Sequence, residues 1–178
     1  SQALHFHGNG DAALATIDRT LTRLPVLKEV ALERTDAMSV YLELEEQRAR
    51  LLMFQGNDAE SALVATEALD ALKAHTAGDT YPELVSVASR LYLIRGDLAH
   101  KAQDIGQAER SWGLGLPLTE PGLAAMASPI DLLTRAMLMD RLGFSDEAEQ
   151  ARNLLHTMGI PPGFEEALAE AFVVSAIQ

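Results

Sequence analysis

The feature that most constrains the fold is a pair of small residues that recurs along the chain at one fixed spacing. In each copy an arginine precedes the first small residue, and the second small residue follows the first by twelve positions. The three copies are Arg48-Ala49 with Ser61, Arg95-Gly96 with Ala108, and Arg135-Ala136 with Ala148. A leucine also stands two positions after each first small residue, at Leu51, Leu98 and Leu138. Self-similarity of this kind predicts a structural unit that is repeated along the chain.

The segments that carry the repeat are predicted to be helices. Alanine and leucine dominate them, the alternation typical of half-buried strands is missing, and glycine or proline stands between the apolar-periodic runs. Two antiparallel helices cross closely only where the side chains at the contact are small. Each repeat therefore predicts a helical hairpin whose two helices touch at its pair of small residues, such as Ala49 and Ser61.

Local signals predict two of the helix starts in detail. Thr35 and Asp36 offer a start that divides a long apolar-periodic stretch. Ser128 is predicted to cap a helix whose first residue is Pro129, with Asp131 completing a variant of the capping box. Further helices are predicted over 11–24, over 58–75, from Pro82 and after Gly143.

The repeat divides the chain into units and predicts one all-α domain over residues 1–178. The approximate units are 1–25, which is partial, 26–76, 82–120 and 128–159, and a capping helix is expected over 163–177. The segment ALHFHGNG is interpreted as the tail of a first helix that ends in a turn. An irregular loop is predicted between Leu116 and Pro129.

The arrangement resembles the tetratricopeptide repeat family, whose first helix carries a small residue and whose second helix carries an alanine at the same spacing. Further matches to its turns, aromatic positions and terminating prolines are Gly56-Asn57, Gly143, Trp112, Pro121 and Pro161. The resemblance implies an α-solenoid, in which antiparallel hairpins form a right-handed superhelix.

The chain also departs from the family pattern. Two units are longer than usual, and the first helices lack the family's tryptophan. The third unit has Asp104-Ile105-Gly106 at its turn, and a second register with the turn at Gly96-Asp97 stays open. The longer units resemble the extended repeats of bacterial multidomain regulators and kinases. Together with the abrupt start at Ser1, they favour a piece of a larger bacterial protein.

In the resembled family the first helices of successive units line a concave groove that binds peptides or partner helices. The positions that match this lining are Arg50, Met53, Phe54, Arg90, Leu93, Ile94, Asp97, Lys101, Leu133, Met137, Asp140 and Arg141. The set mixes apolar anchors with charges of both signs, which predicts a segment of a partner protein as the ligand. Exposure of Leu93, Ile94 and Met137 would favour such an open groove over a closed ligand pocket.

Composition and charge argue against several functional classes. The formal net charge of −12 at pH 7 opposes nucleic-acid binding, and the absence of cysteine excludes a thiol nucleophile. No apolar run is long enough to span a bilayer. His5 and His7 lack a third ligand nearby, so no metal site is predicted. No catalytic or cofactor-binding motif occurs, so the chain is predicted to bind no cofactor and not to be an enzyme. The compartment stays open, with the cytoplasm favoured over the periplasm.

The acidic cluster of Glu43, Glu45 and Glu46 is interpreted as a solvated helix face.

Two other functions stay open on the sequence. The chain could be the ligand-sensing domain of a bacterial signalling or transcription protein, with a small molecule held between hairpins. It could instead be a spacer or a dimeriser, because the segment AFVVSAI at 171–177 makes a strongly apolar terminal helix. That helix could cap the last unit, fill the groove or pair with a second copy as a homodimer. Capping is favoured over self-pairing, since terminal repeats need a cap.

Overall fold

A computed structural model describes residues 2–23, 27–75, 81–120 and 128–160. Over these ranges the chain forms eight α-helices and one short 3-10 helix, and no strand. The α-helices are α1 (Gln2–Arg23), α2 (Leu27–Glu33), α3 (Thr35–Phe54), α4 (Asp58–Ala74), α5 (Pro82–Lys101), α6 (Ile105–Gly115), α7 (Pro129–Arg141) and α8 (Ser145–Thr157). The prediction of an all-α chain is confirmed for the described residues.

Six of the helices form three consecutive hairpins, α3/α4, α5/α6 and α7/α8. We call the first helix of each hairpin its A helix and the second its B helix. The A helix α5 packs on both α3 and α4, and the A helix α7 packs on both α5 and α6. The 3-10 helix (Leu116–Thr119) lies against α5, α6 and α7. Each hairpin after the first therefore uses its A helix to cover the hairpin before it.

The small-residue pairs lie where the helices of each hairpin meet. Ser61 and Ala49 are fully buried, and the Ser61 hydroxyl donates a hydrogen bond to the Ala49 carbonyl at 2.7 Å. In the second hairpin, a Cβ built on Gly96 would lie only 2.2 Å from Nε1 of Trp112. Ala136 and Ala148 of the third hairpin are likewise fully buried. The small residues at this spacing are thus buried in all three hairpins, with a direct bond between the pair in the first.

Two of the three arginines of the repeat donate hydrogen bonds to the second helix of their own hairpin. Arg48 donates to Glu60 on α4 at 3.1 Å, and Arg95 donates to Ser111 on α6 at 3.1 Å. Arg135 instead reaches back to Thr119 of the 3-10 helix, also at 3.1 Å. Arginine suits this position because its long side chain extends beyond the small residue beside it. Its planar guanidinium then offers several N–H donors to the neighbouring helix.

The A helices end in one shared backbone motif. At the end of α3, the N–H of Asn57 bonds to the carbonyl of Leu52, and the N–H of Gly56 bonds to that of Met53. The ends of α5 and α7 repeat both bonds. Such an ending needs one residue with positive φ, which is Gly56 (81°), Gln103 (64°) or Gly143 (83°). The second hairpin therefore turns at 102–104, and the alternative register with a turn at Gly96-Asp97 is wrong.

The predicted turn near the N-terminus is also wrong. Helix α1 continues without a break through the segment ALHFHGNG, and Gly10 is not among the described glycines with positive φ. A continuous helix keeps its backbone N–H and carbonyl groups hydrogen-bonded to each other. A turn would end that pairing, and the free N–H and carbonyl groups at the two helix ends would need other partners. Helix α1 packs on α3, where Ala13 and Ile17 contact Leu51.

The break predicted at Thr35 is present, because α2 ends at Glu33 and α3 begins at Thr35. The residue in the cap position is Arg34, whose guanidinium bonds to Asp36. The Ser128 hydroxyl accepts from the N–H of Ile130 at 3.3 Å, as expected of a cap. The capping helix predicted over 163–177 and most of the predicted loop before Pro129 lie outside the described residues.

Candidate partner-binding surface

All twelve predicted groove residues lie on the three A helices, which contact one another in the order α3, α5, α7. Three are on α3, five on α5 and four on α7. The helices therefore bring these residues onto neighbouring elements, but the side chains differ strongly in their exposure.

Three of the apolar positions belong to the core. Leu93 is 4% exposed and packs with Ala108, Trp112 and Leu138. Ile94 is 2% exposed and lies in the largest apolar cluster. Leu133 is also buried and packs in a cluster with Leu132 and with Leu155 of α8. The expectation that Leu93 and Ile94 are exposed is wrong, because α5 is covered by helices on several sides.

A chain of polar side chains connects the three A helices. On α3, Glu46 is 3% exposed and is bonded to Arg50. Arg90 of α5 brings its Nε to 3.6 Å from the Glu46 carboxylate, and its Nη1 donates to Ser86 at 2.9 Å. The Ser86 hydroxyl donates in turn to Asp131 of α7. We call these five residues the polar chain.

The polar chain corrects two interpretations made from the sequence. Glu46 and Glu45 are not part of a solvated face, because their side chains are only 4% and 12% exposed, although Glu43 is exposed. Asp131 is buried and bonds to Ser86 of another helix, so it serves helix packing in addition to its place in the first turn of α7. The spacing of four residues between Glu46 and Arg50, and between Ser86 and Arg90, is a signal that could have indicated the chain.

Most charges on the A helices are paired within the protein. Asp97 accepts from Nε1 of Trp112 at 3.1 Å and from Arg141 at 2.9 and 3.2 Å. The hydrogen bonding of the Arg141 guanidinium to Asp97 raises the pKa of Arg141. Asp140 pairs with Arg152 of α8. Lys101 lies 2.6 Å from Asp58 at the start of α4.

The accessible part of the predicted surface lies at the carboxyl ends of the A helices. Phe54 is 50% exposed, and the side chains of Lys101 and Arg141 are 60% and 42% exposed. Each stands seven positions before the second small residue of its own hairpin. Lys101 pairs with Asp58, four positions after Phe54, and Arg141 pairs with Asp97, four positions before Lys101. We call Phe54, Lys101 and Arg141 the helix-end patch.

The remaining predicted residues lie between the core and this patch. Met53 and Met137 are half-buried, and Met137 packs against two of the smaller apolar clusters. Arg50 is 18% exposed and belongs to the polar chain. The patch is therefore built on a layer of packed apolar and paired polar side chains.

No protein-family model matches this chain, and neither a curated protein nor a solved structure matches it significantly. Within the described ranges, no cluster of three His, Asp or Glu side chains could hold a metal ion. None of the described helices combines the length and apolarity that a membrane crossing requires.

Proposed function

We propose that this chain is a tetratricopeptide-like helical repeat domain that binds a segment of another protein at the helix-end patch. The packing of each A helix on both helices of the preceding hairpin supports a solenoid arrangement. The bond between Ser61 and Ala49 and the burial of the second small residues Ala108 and Ala148 support the family resemblance, because these residues stand at its characteristic spacing.

The observation that carries the proposal is the exposure of one residue at the same place in three consecutive hairpins. Phe54 offers an aromatic ring, and Lys101 and Arg141 offer cations. Aromatic and arginine side chains are enriched among the residues that dominate binding energy at protein interfaces. The partner is therefore a segment with an apolar anchor for Phe54 and carboxylates for the two cations.

The cations are available although each has an internal partner. The Lys101 and Arg141 side chains are 60% and 42% exposed, although their partners Asp58 and Asp97 are only 34% and 24% exposed. A carboxylate of a partner can therefore share each cation with its internal partner through the exposed side of the cation. Because the net charge of −12 repels acidic partners at long range, the local cations have to provide the attraction.

The binding mechanism is passive. The polar chain and the buried small-residue contacts hold the A helices at fixed positions before any partner arrives. A surface that is already ordered does not lose further conformational freedom when it binds, so more of the contact energy appears as affinity.

Selection of short random peptides on the immobilised domain tests the proposal. The best peptide is then titrated against the variants Lys101→Gln and Arg141→Gln, with Arg110→Gln as the matched control. Arg110 is an exposed arginine on α6, away from the A helices. We expect acidic residues in the selected peptides and weaker binding to the first two variants only. Peptides without acidic residues, or equal loss in the Arg110 variant, contradict the proposal.

A further inference from the structure

A cavity of about 150 Å³ lies between the first two hairpins, on the side of the B helices. Leu69 and Leu72 of α4 form one wall, and Val85 and Ala88 of α5 form the floor. Leu114 at the end of α6 and Leu118 of the 3-10 helix close the opposite side. The cavity shares no residue with the helix-end patch, so it is independent of the proposed partner binding.

The cavity exists because two B helices stand apart. Helices α4 and α6 each pack on α5 but are not themselves a packed pair. Gly115 fixes the position of α6, since a Cβ there would lie 3.0 Å from the Cβ of Tyr92 and 3.3 Å from the Ser89 carbonyl. The end of α6 is thereby held against α5, beside Tyr92, while the space between Leu69 and Leu114 stays unfilled.

The cavity has a buried floor and an accessible rim. Ala88 and Leu69 are each 1% exposed, whereas Leu114 is 48% exposed and the Lys73 side chain 60%. A gap lined by leucine, valine and alanine leaves apolar surface in contact with water, and covering it is favourable by about 25 cal/mol per Å². An apolar cavity of about this size is large enough to take one benzene ring.

One charged group of the lining sets the chemistry of the ligand. The lining contains one cation, Lys73, and no carboxylate. Its ammonium lies 2.9 Å from Asp70, but both side chains are more than half exposed, so the pair is easily exchanged. A carboxylate can accept from the ammonium of Lys73.

We propose that this cavity binds a small monocyclic aromatic carboxylic acid, with the ring between Leu69 and Leu114 and the carboxylate towards Lys73. The volume limits the ligand to one ring, since sites for larger organic ligands start at about 300 Å³. The charge of the lining favours an acid over an amine or a neutral ring.

The test uses phenylacetate and toluene as probes in NMR titrations of the full chain. Phenylacetate is expected to bind, and toluene, which has the same ring without the carboxylate, is expected to bind about five-fold more weakly. In Lys73→Met the advantage of phenylacetate should disappear, and in the control Lys28→Met, an exposed lysine of α2 outside the cavity, it should remain. Equal binding of the two probes to the unmodified chain, or an advantage retained in Lys73→Met, overturns the assignment of an acid.

A second pair of variants tests the location. Leu114→Trp places a bulky ring at the rim and is expected to abolish binding of phenylacetate, whereas Leu63→Trp, at an equally exposed leucine of α4 outside the lining, should leave it unchanged. Circular dichroism of both variants checks that each is still folded. Absence of phenylacetate binding to the unmodified chain, or undiminished binding to Leu114→Trp, overturns the proposal.

Discussion

The hydroxyl of Ser61 donates to the carbonyl oxygen of Ala49 at 2.7 Å, across the point where α3 and α4 cross. Neither residue has any solvent-exposed surface. At this distance a hydrogen bond joins the backbone of one helix to a side chain of only two heavy atoms on the other. The crossing distance of the hairpin is therefore limited by the size of the residue at this position.

Replacing Ser61 should destabilise the domain according to the size of the new side chain. Ser61→Ala loses one hydrogen bond and should lower the free energy of unfolding by about 1 kcal/mol. Ser61→Leu forces the helices apart and should cost more, about 2–3 kcal/mol. Urea unfolding monitored by circular dichroism measures both. Ala59→Leu, at an exposed position of the same helix, serves as the control and should change the value by less than about 0.5 kcal/mol. Equal effects of the two leucine variants would contradict the close contact.

Gly96 and Gly113 provide a matched pair in the second hairpin. A Cβ on Gly96 would lie 2.2 Å from Nε1 of Trp112, whereas a Cβ on Gly113 would meet nothing within 4 Å. Gly96→Ala therefore displaces the indole from its bond to Asp97 and should destabilise by about 1–3 kcal/mol. Gly113→Ala should stabilise by up to about 1 kcal/mol, since glycine is unfavourable within a helix.

Trp112 is the single tryptophan of the chain, so its fluorescence directly monitors the effect of Gly96→Ala. The emission of Gly96→Ala should shift because the indole moves out of a site that is only 3% exposed. Unchanged emission together with unchanged stability would show that α5 and α6 do not approach as closely as described.

The polar chain should contribute to stability because its centre is buried. Glu46→Gln removes the negative charge that faces Arg50 and Arg90 and so weakens the attraction between this carboxylate position and both cations. Since the arginines are partly solvated, we expect a loss of about 2–3 kcal/mol. Glu43→Gln, on the exposed side of the same helix, should change the free energy of unfolding by less than about 0.5 kcal/mol. Guanidinium unfolding of the two variants makes the comparison, and similar values for both would contradict the buried position of Glu46.

The hairpins could be predicted from the sequence because their determinant is local and periodic. A small residue, a second small residue after a fixed interval and a turn between them are enough to define α3/α4, α5/α6 and α7/α8. The turn at 102–104 is harder to place, because Gln103 rather than glycine adopts the positive φ.

The candidate surface could be predicted only in part. The repeat register correctly assigns residues to the A helices, but it does not reveal how deeply each helix is covered by the next hairpin. Leu93 and Ile94 are buried by contacts with other helices, and Glu46 is buried by a pairing with Arg90, which is distant in sequence. The segment Gly8-Asn9-Gly10 has the same turn residues as Gly56-Asn57, yet it remains helical, so the local signal alone does not decide the outcome.

Glu45 should make stability depend on pH. Burial is the main cause that raises its pKa above the ordinary value of 4.5, Arg48 lowers it, and Glu67 raises it further. The folded chain therefore holds this proton more tightly than the unfolded chain. As pH rises from 4.5 through the raised pKa, the folded state loses stability because it comes to carry a poorly solvated charge.

The variant Glu45→Gln cannot acquire this charge. Compared with the unmodified chain, it should be relatively more stable at neutral pH than below pH 4.5, where the carboxyl group is protonated in both states. Urea unfolding at the two pH values gives the difference. A difference that is independent of pH, or one that favours the unmodified chain more strongly at neutral pH, would contradict the raised pKa.

The central claim is that the helix-end patch binds a partner through Phe54, and the affinity of one selected peptide for two variants tests it most directly. Phe54 and Leu63 are both about half exposed, at 50% and 56%, but Leu63 lies on α4 outside the patch. The dissociation constant, measured by fluorescence anisotropy, should rise at least about ten-fold in Phe54→Ala. It should stay within about two-fold in Leu63→Ala. Equal affinities for Phe54→Ala and the unmodified chain would contradict the account.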